Sequence, residues 1–160
     1  MKVALYSLVH DEASIKIVTE IVAFFASKGA GIQVEKELLR NISNAAVTSF
    51  SSHEDLDQKT TVFFAVGGDG TVLRALHYIR ESKIPLIGVN TGRLGFLAPI
   101  QPDEMEAMLD DIITNNYLTR PPLGGTLTIV PSSNFKSACC TPSPCRRYFI
   151  GHYWPSTLAL

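Results

Sequence analysis

The sequence holds 160 residues, 46% hydrophobic and 18% charged, enough for one domain with a real core and unlike a disordered chain. A formal net charge of −1 gives no basic surface for nucleic acid or anionic membrane, and no apolar run approaches the ~18 residues that span a bilayer. The opening MKVALYSLVHDEAS lacks a long apolar h-region and a small-residue cleavage site, so the expectation is a cytoplasmic chain without a signal peptide.

Residues 2–8, KVALYSL, read as a first strand. Asp11 or Ser14 can cap a helix whose apolar residues Val18, Ile21, Val22 and Phe25 recur at helical spacing, with Gly29 as its stop. Residues 32–34 form a second strand and 35–41 a weak helical turn. Residues 41–60 are polar and irregular and read as a loop, with a short helix from Glu54 as an option. Residues 61–66 are a strand with no polar alternation, the pattern of a strand buried on both faces in a parallel sheet. After Thr71, Val72, Leu73, Leu76 and Ile79 mark a helix face ending near Ser82. Residues 84–89, IPLIGV, are another buried strand. Pro102 suits the first position of a helix with Asp103 and Glu104 in its first turn and Met105, Met108, Leu109, Ile112 and Ile113 on its core face. Asn115 and Asn116 close it.

Strands alternating with helices predict an α/β fold, a Rossmann-like parallel sheet with flanking helices over residues 1–120. In such sheets ligands sit beyond the carboxyl ends of the strands. Two glycine loops, 67–71 and 90–95, follow strands and fall at that edge, where one ligand can touch both. In the first, Gly67-Gly68-Asp69-Gly70-Thr71, the glycines permit a sharp turn and close backbone approach. The helix that follows presents N–H groups and a partial positive charge, an anion site suited to phosphate. A carboxylate at that point, Asp69, is unfavourable beside phosphate unless it binds a metal or takes a proton, which points to chemistry. Two common phosphate loops are excluded. No Gly-x-x-x-x-Gly-Lys-Ser/Thr occurs, and Leu73 stands where the dinucleotide fingerprint needs its third glycine.

The GGDGT loop after a buried strand resembles the nucleotide-handling loop of a superfamily that joins NAD kinases, diacylglycerol and sphingosine-type lipid kinases and, more distantly, phosphofructokinases. The second segment, Gly88-Val89-Asn90-Thr91-Gly92-Arg93-Leu94-Gly95-Phe96-Leu97, is similar to the NAD kinase form, Asn-x-Gly-x-Leu-Gly-Phe-Leu. The resemblance covers residues 1 to about 120. It implies transfer of the ATP γ-phosphate to the 2′-hydroxyl of the adenosine ribose of NAD, with ATP and NAD as ligands and a divalent ion such as Mg2+. It makes Asp69 the proton acceptor, Asp69 and Gly70 NAD contacts, Arg74 a dinucleotide contact and Phe96 an aromatic near the adenine. Gly67, Gly68 and Thr71 shape the loop and help hold ATP phosphates, and Asn90 joins the binding residues. Structural uses compete: Asp69 as a helix cap, Arg74 as a solvated helix residue, Phe96 and Leu97 as core. His77 reads as helix surface. The alternatives are a lipid or other small-molecule kinase using the same loop, or a non-catalytic nucleotide-binding fragment.

Residues 121–160 differ in character. They hold six of the nine prolines, all three cysteines and no Asp or Glu, and carry +3 where residues 1–120 carry −4. Apart from a possible strand at 127–130 they read as an irregular tail in place of the β-rich second domain that the family carries. Neither that domain's Asn-Glu or Asn-Asp pair nor its Thr-Pro-Thr-Gly-Ser-Thr-like segment occurs, so a reading-frame change or truncation near Arg120 is expected, with little activity from the chain alone. Cys139, Cys140 and Cys145, an odd count with His152 nearby, match no disulfide framework or zinc spacing. The resemblance implies a homo-oligomer for the full-length family; no nucleic-acid or membrane partner is expected.

Overall fold

The computed structural model of the chain describes residues 1–42, 47–82, 84–92 and 95–114, and the backbone of 118–120 and 149–151. Its elements are β1 (Lys2–Tyr6), α1 (Glu12–Ser27), β2 (Gly31–Glu35), α2 (Lys36–Leu39), β3 (Val47–Phe50), β4 (Val62–Val66), α3 (Asp69–Ile79), β5 (Leu86–Val89), a 3-10 turn (Pro102–Glu104), α4 (Met105–Ile113), β6 (Leu118–Arg120) and β7 (Phe149–Gly151). The sheet order is β3-β2-β1-β4-β5-β7-β6. The first five strands are mutually parallel, as the alternation predicts. β7 meets β5 antiparallel at Leu86↔Gly151 and pairs in parallel with β6.

Strand alternation divides the core into two layers. Val3 and Leu5 of β1, Val62, Phe64 and Val66 of β4, and Ile87 and Val89 of β5 face α1 and α4. Ala4, Tyr6, Phe63, Ala65 and Leu86 face α3. Every residue of β4 is buried, which is why its apolar run shows no period of two. Full burial of one such side chain is favourable by about 1.5–3 kcal/mol. α1 begins where the Asp11 carboxylate accepts the Ser14 N–H at 2.8 Å and ends at Gly29, whose φ is +69°.

β1 lies between β2 and β4, so the winding reverses there. The crossover through α1 runs to one side and that through α3 to the other, and right-handed crossovers therefore place α1 and α3 on opposite faces. The carboxyl ends beside this reversal are where an open α/β sheet binds ligands.

Three sequence expectations are corrected. Residues 41–60 are not all loop: Val47–Phe50 is an edge strand parallel to β2. Only Phe50 of its four residues is fully buried, so it carries no apolar run that marks a strand. Within the same stretch residues 53–55 form turns rather than a helix. On α3 the buried face is Thr71, Val72, Ala75 and Ile79, while Leu73 is 52% exposed. At about 100° per residue, Leu73 lies on the solvent flank and Ala75 falls between the other core positions. Finally, Phe149–Gly151 joins the sheet, although no periodicity marks it beyond Pro131; three residues are too few to display one. The expected strand at 127–130, the cysteines, Arg146, Arg147, Arg93, Asn115 and Asn116 lie outside the described residues.

Candidate active site

The carboxyl end of β4 runs straight into Gly67 and Gly68, and the next residue, Asp69, already belongs to α3. Gly67 has φ +148°, a backbone region that side chains rarely enter, and its N–H donates to the Val89 carbonyl at 2.8 Å. Gly68 is the helix N-cap and offers no capping side chain. A Cβ at Gly68 or Gly70 would meet nothing within 4 Å, so the backbone at the start of α3 is open to close approach. Thr71 is buried beneath this turn, with its N–H on the Gly68 carbonyl at 2.9 Å.

Asp69 does not cap its own helix. Its carboxylate reaches across to the second glycine loop, which leaves β5 and returns beside it. Oδ1 accepts the N–H groups of Leu97 at 2.9 Å and Ala98 at 3.3 Å, and Oδ2 accepts that of Phe96 at 3.1 Å. The Leu97 N–H is the main cause holding the Asp69 carboxyl below the usual carboxylate range; burial opposes it, and the Phe96 and Ala98 N–H groups add to it. One charged side chain thus joins both loops.

Asn90, at the end of β5, is buried and binds the second loop to itself. Its Oδ1 accepts the Gly92 N–H at 2.7 Å and its Nδ2 donates to the Ala98 carbonyl at 3.3 Å. Its own N–H donates to Ile100, which continues beside β5. The Phe96 ring is 92% exposed, so it is not core, whereas Leu97 packs partly against the α3-side layer.

Gly67, Gly68, Asp69, Gly70, Thr71, Asn90 and Phe96 therefore converge at one edge. Arg74, five residues along α3, stands about 140° round the helix from Asp69, on the side that carries Tyr6 and Tyr78. There burial raises the hydroxyl pKa values of Tyr6 and Tyr78, and the Arg74 charge offsets part of that rise in both. His77 is exposed, as its position predicts.

Two glycines given no individual role from the sequence prove sterically required. A Cβ at Gly88 would stand 2.4 Å from the Leu97 carbonyl oxygen, and one at Gly95 would stand 2.1 Å from Asp69 Oδ1. Their signal was already in the sequence, since both lie in the second motif, but close backbone approach is visible only in three dimensions. Among the described residues no group of three His, Cys, Asp or Glu side chains gathers to hold a metal ion, so these residues alone do not fit a protein-built metal centre.

Residues 9–117 match the family model of the ATP-NAD kinase N-terminal domain. An NAD kinase of Flavobacterium johnsoniae is 35% identical over 124 residues, covering 74% of this chain and 42% of the relative. One of Flavobacterium psychrophilum is 36% identical over 122 residues, covering 73% and 42%. A third, from Cytophaga hutchinsonii, is 43% identical over 70 residues, covering 44% and 24%. The chain thus spans about two fifths of the length of the first of these relatives. Among solved structures, a crystal structure of yeast NADH kinase complexed with NADH superposes with a TM-score of 0.62 at 17% identity, covering 71% of this chain and 38% of that one; it attests the fold.

Proposed function

Since the chain belongs to the NAD kinase family, we propose that its two joined glycine loops serve transfer of the ATP γ-phosphate to the 2′-hydroxyl of the adenosine ribose of NAD, giving NADP and ADP. The observation that carries this reading is the Asp69 carboxylate, which stands at the open turn that begins α3 and is bonded to the main-chain amides of the second loop, among them that of the exposed Phe96. In this reading the hydroxyl hydrogen-bonds to Asp69 while its oxygen attacks the γ-phosphorus. The new O–P bond forms, the bond to ADP breaks with its electrons leaving on ADP, and the proton passes to the carboxylate. The Gly67–Thr71 turn and the N-terminal amides of α3 receive phosphate oxygens, where aligned N–H groups favour negative charge. Phe96 covers the adenine, and Arg74, on the far flank, takes a more distant part of a dinucleotide. Asn90 acts by holding the second loop in shape.

A divalent ion such as Mg2+ enters this reading with the ATP phosphates, where it supplies charge neutralisation; no residue described here is assigned to it. The same reading takes residues 1–120 as the nucleotide-binding unit, to whose sheet Phe149–Gly151 adds a strand, and places the protein in the cytoplasm. Among the described residues no helix is long and apolar enough to cross a membrane.

The test is incubation of the purified chain with ATP, Mg2+ and either NAD, diacylglycerol or a sphingoid base, with phosphorylated product resolved by chromatography. NADP alone supports the reading; a phosphorylated lipid overturns it. A second reading, a nucleotide-binding unit with little turnover by itself, is favoured by Phe96, a large apolar residue of the second motif left 92% exposed. Calorimetric binding of NAD without NADP formation marks that case.

A further inference from the structure

We infer that Gly95 is a positioning residue: lacking a side chain, it lets the amides of Phe96, Leu97 and Ala98 fix the Asp69 carboxylate so that one acceptor position, on Oδ2, is left for the attacking hydroxyl. This rests on the kinase reading above and adds to it which oxygen reacts and what orients it.

A carboxylate offers about four lone-pair positions to donors. Oδ1 uses two of them, for Leu97 at 2.9 Å and Ala98 at 3.3 Å, and Oδ2 uses one, for Phe96 at 3.1 Å. Residue 95 presses chiefly on Oδ1, since a Cβ there would stand 2.1 Å from Oδ1 and 3.1 Å from Oδ2. With two donors and this backbone against it, Oδ1 has less room for a substrate than Oδ2. Oδ2 shares its side of the carboxylate with the exposed Phe96, and the neighbouring Gly68 and Gly70 leave open space around the turn. The hydroxyl proton accordingly goes to Oδ2.

Three N–H donors also make this carboxylate a weak base. Such a group does little for a hydroxyl at rest and accepts the proton late, once bond formation to phosphorus has made the hydroxyl acidic. Any side chain at 95 must push the carboxylate or the loop aside. Either movement breaks charge-assisted hydrogen bonds and opens Oδ1, so the group becomes more basic and less well aimed.

The experiment is NMR on the 160-residue chain labelled with 15N and 13C. Wild type is expected to show slow exchange of the amides of Phe96, Leu97 and Ala98 and an Asp69 13Cγ titration below the ordinary carboxylate range. In Gly95→Ala the titration is expected to move up toward that range and the three amides to exchange about tenfold faster, a change that mere packing damage at residue 95 does not impose on Asp69. An Asp69 titration and amide exchange both equal to wild type overturn the proposal. Should Gly95→Ala fail to fold, Asp69→Asn, which keeps Gly95, carries the same test: unchanged exchange at all three amides overturns it. Added NAD is expected to shift the Phe96 amide, the one on Oδ2, more than those of Leu97 and Ala98, and a larger response at Leu97 and Ala98 overturns the choice of oxygen. Slow amides with no response to NAD support the clasp and count against the kinase reading.

Discussion

Gly67 and Thr71 face each other across the turn that opens α3: a Cβ on Gly67 would lie 2.3 Å from Thr71 Oγ1. The glycine also holds φ at +148°. Both constraints act on the same residue, so Gly67→Ala is expected to lower stability by about 1–3 kcal/mol, measured as a reduced urea midpoint at unchanged slope. A midpoint equal to wild type would mean that the turn relaxes without strain.

Asp69 should make stability fall with acid. Its folded-state pKa lies below the ordinary value, so the stability it contributes is fully present above the unfolded value of about 4 and is lost as pH falls through the lowered folded value. Urea unfolding of wild type and Asp69→Asn at a series of pH values is the check. The gap between them is expected to be widest near neutrality and to close in acid; a gap independent of pH would show that the three N–H groups do not bias ionisation.

Phe96 separates binding from folding. With its ring 92% exposed, Phe96→Ala is expected to change stability by no more than about 0.5 kcal/mol. Loss of aromatic cover is expected to weaken NAD binding by about 1 kcal/mol, roughly fivefold, by calorimetry. A variant that binds NAD as wild type does would remove Phe96 from the site.

Asp11 tests a cap with no part in the two glycine loops. Its carboxylate caps α1 through the Ser14 N–H. Asp11→Ala is expected to destabilise the fold by about 1 kcal/mol, measured as a lower urea midpoint at unchanged slope.

Phe64→Ala tests the core beneath the site. Phe64 is fully buried in β4 with its ring 5.7 Å from that of Phe25 on α1. Truncation is expected to cost about 3–5 kcal/mol, seen as a large drop in thermal midpoint.

Much of this architecture is legible in the residues. The all-apolar run of β4, the Asp11 cap, the Gly29 stop and the Met105/Met108 stripe each combine one local pattern with one burial requirement, and both point the same way. β3 is illegible because an edge strand with two exposed polar residues gains its identity from pairing with β2, a contact that no local pattern encodes. The meeting of the two glycine loops follows from strand order, since β4 and β5 are neighbours and both loops leave their carboxyl ends. That the Asp69 carboxylate turns away from its own helix is not legible. Capping of α3 and bonding to residues 96–98 satisfy the same group, and only the tertiary approach allowed by Gly95 decides between them. The separation of Arg74 from Asp69, by contrast, is simple helical geometry and can be counted from the numbers.

The three groups that grip Asp69 are all main-chain amides. The grip itself does not depend on which side chains hang from residues 96, 97 and 98; Ala98 and Leu97 are tied to the core, but the exposed position 96 is at liberty to be recast for a different base without loosening the carboxylate. Proline alone is barred from all three, having no N–H to give. The chain's own proline, Pro99, stands one residue past the last donor, the first place in this segment where its ring does no harm to the grip.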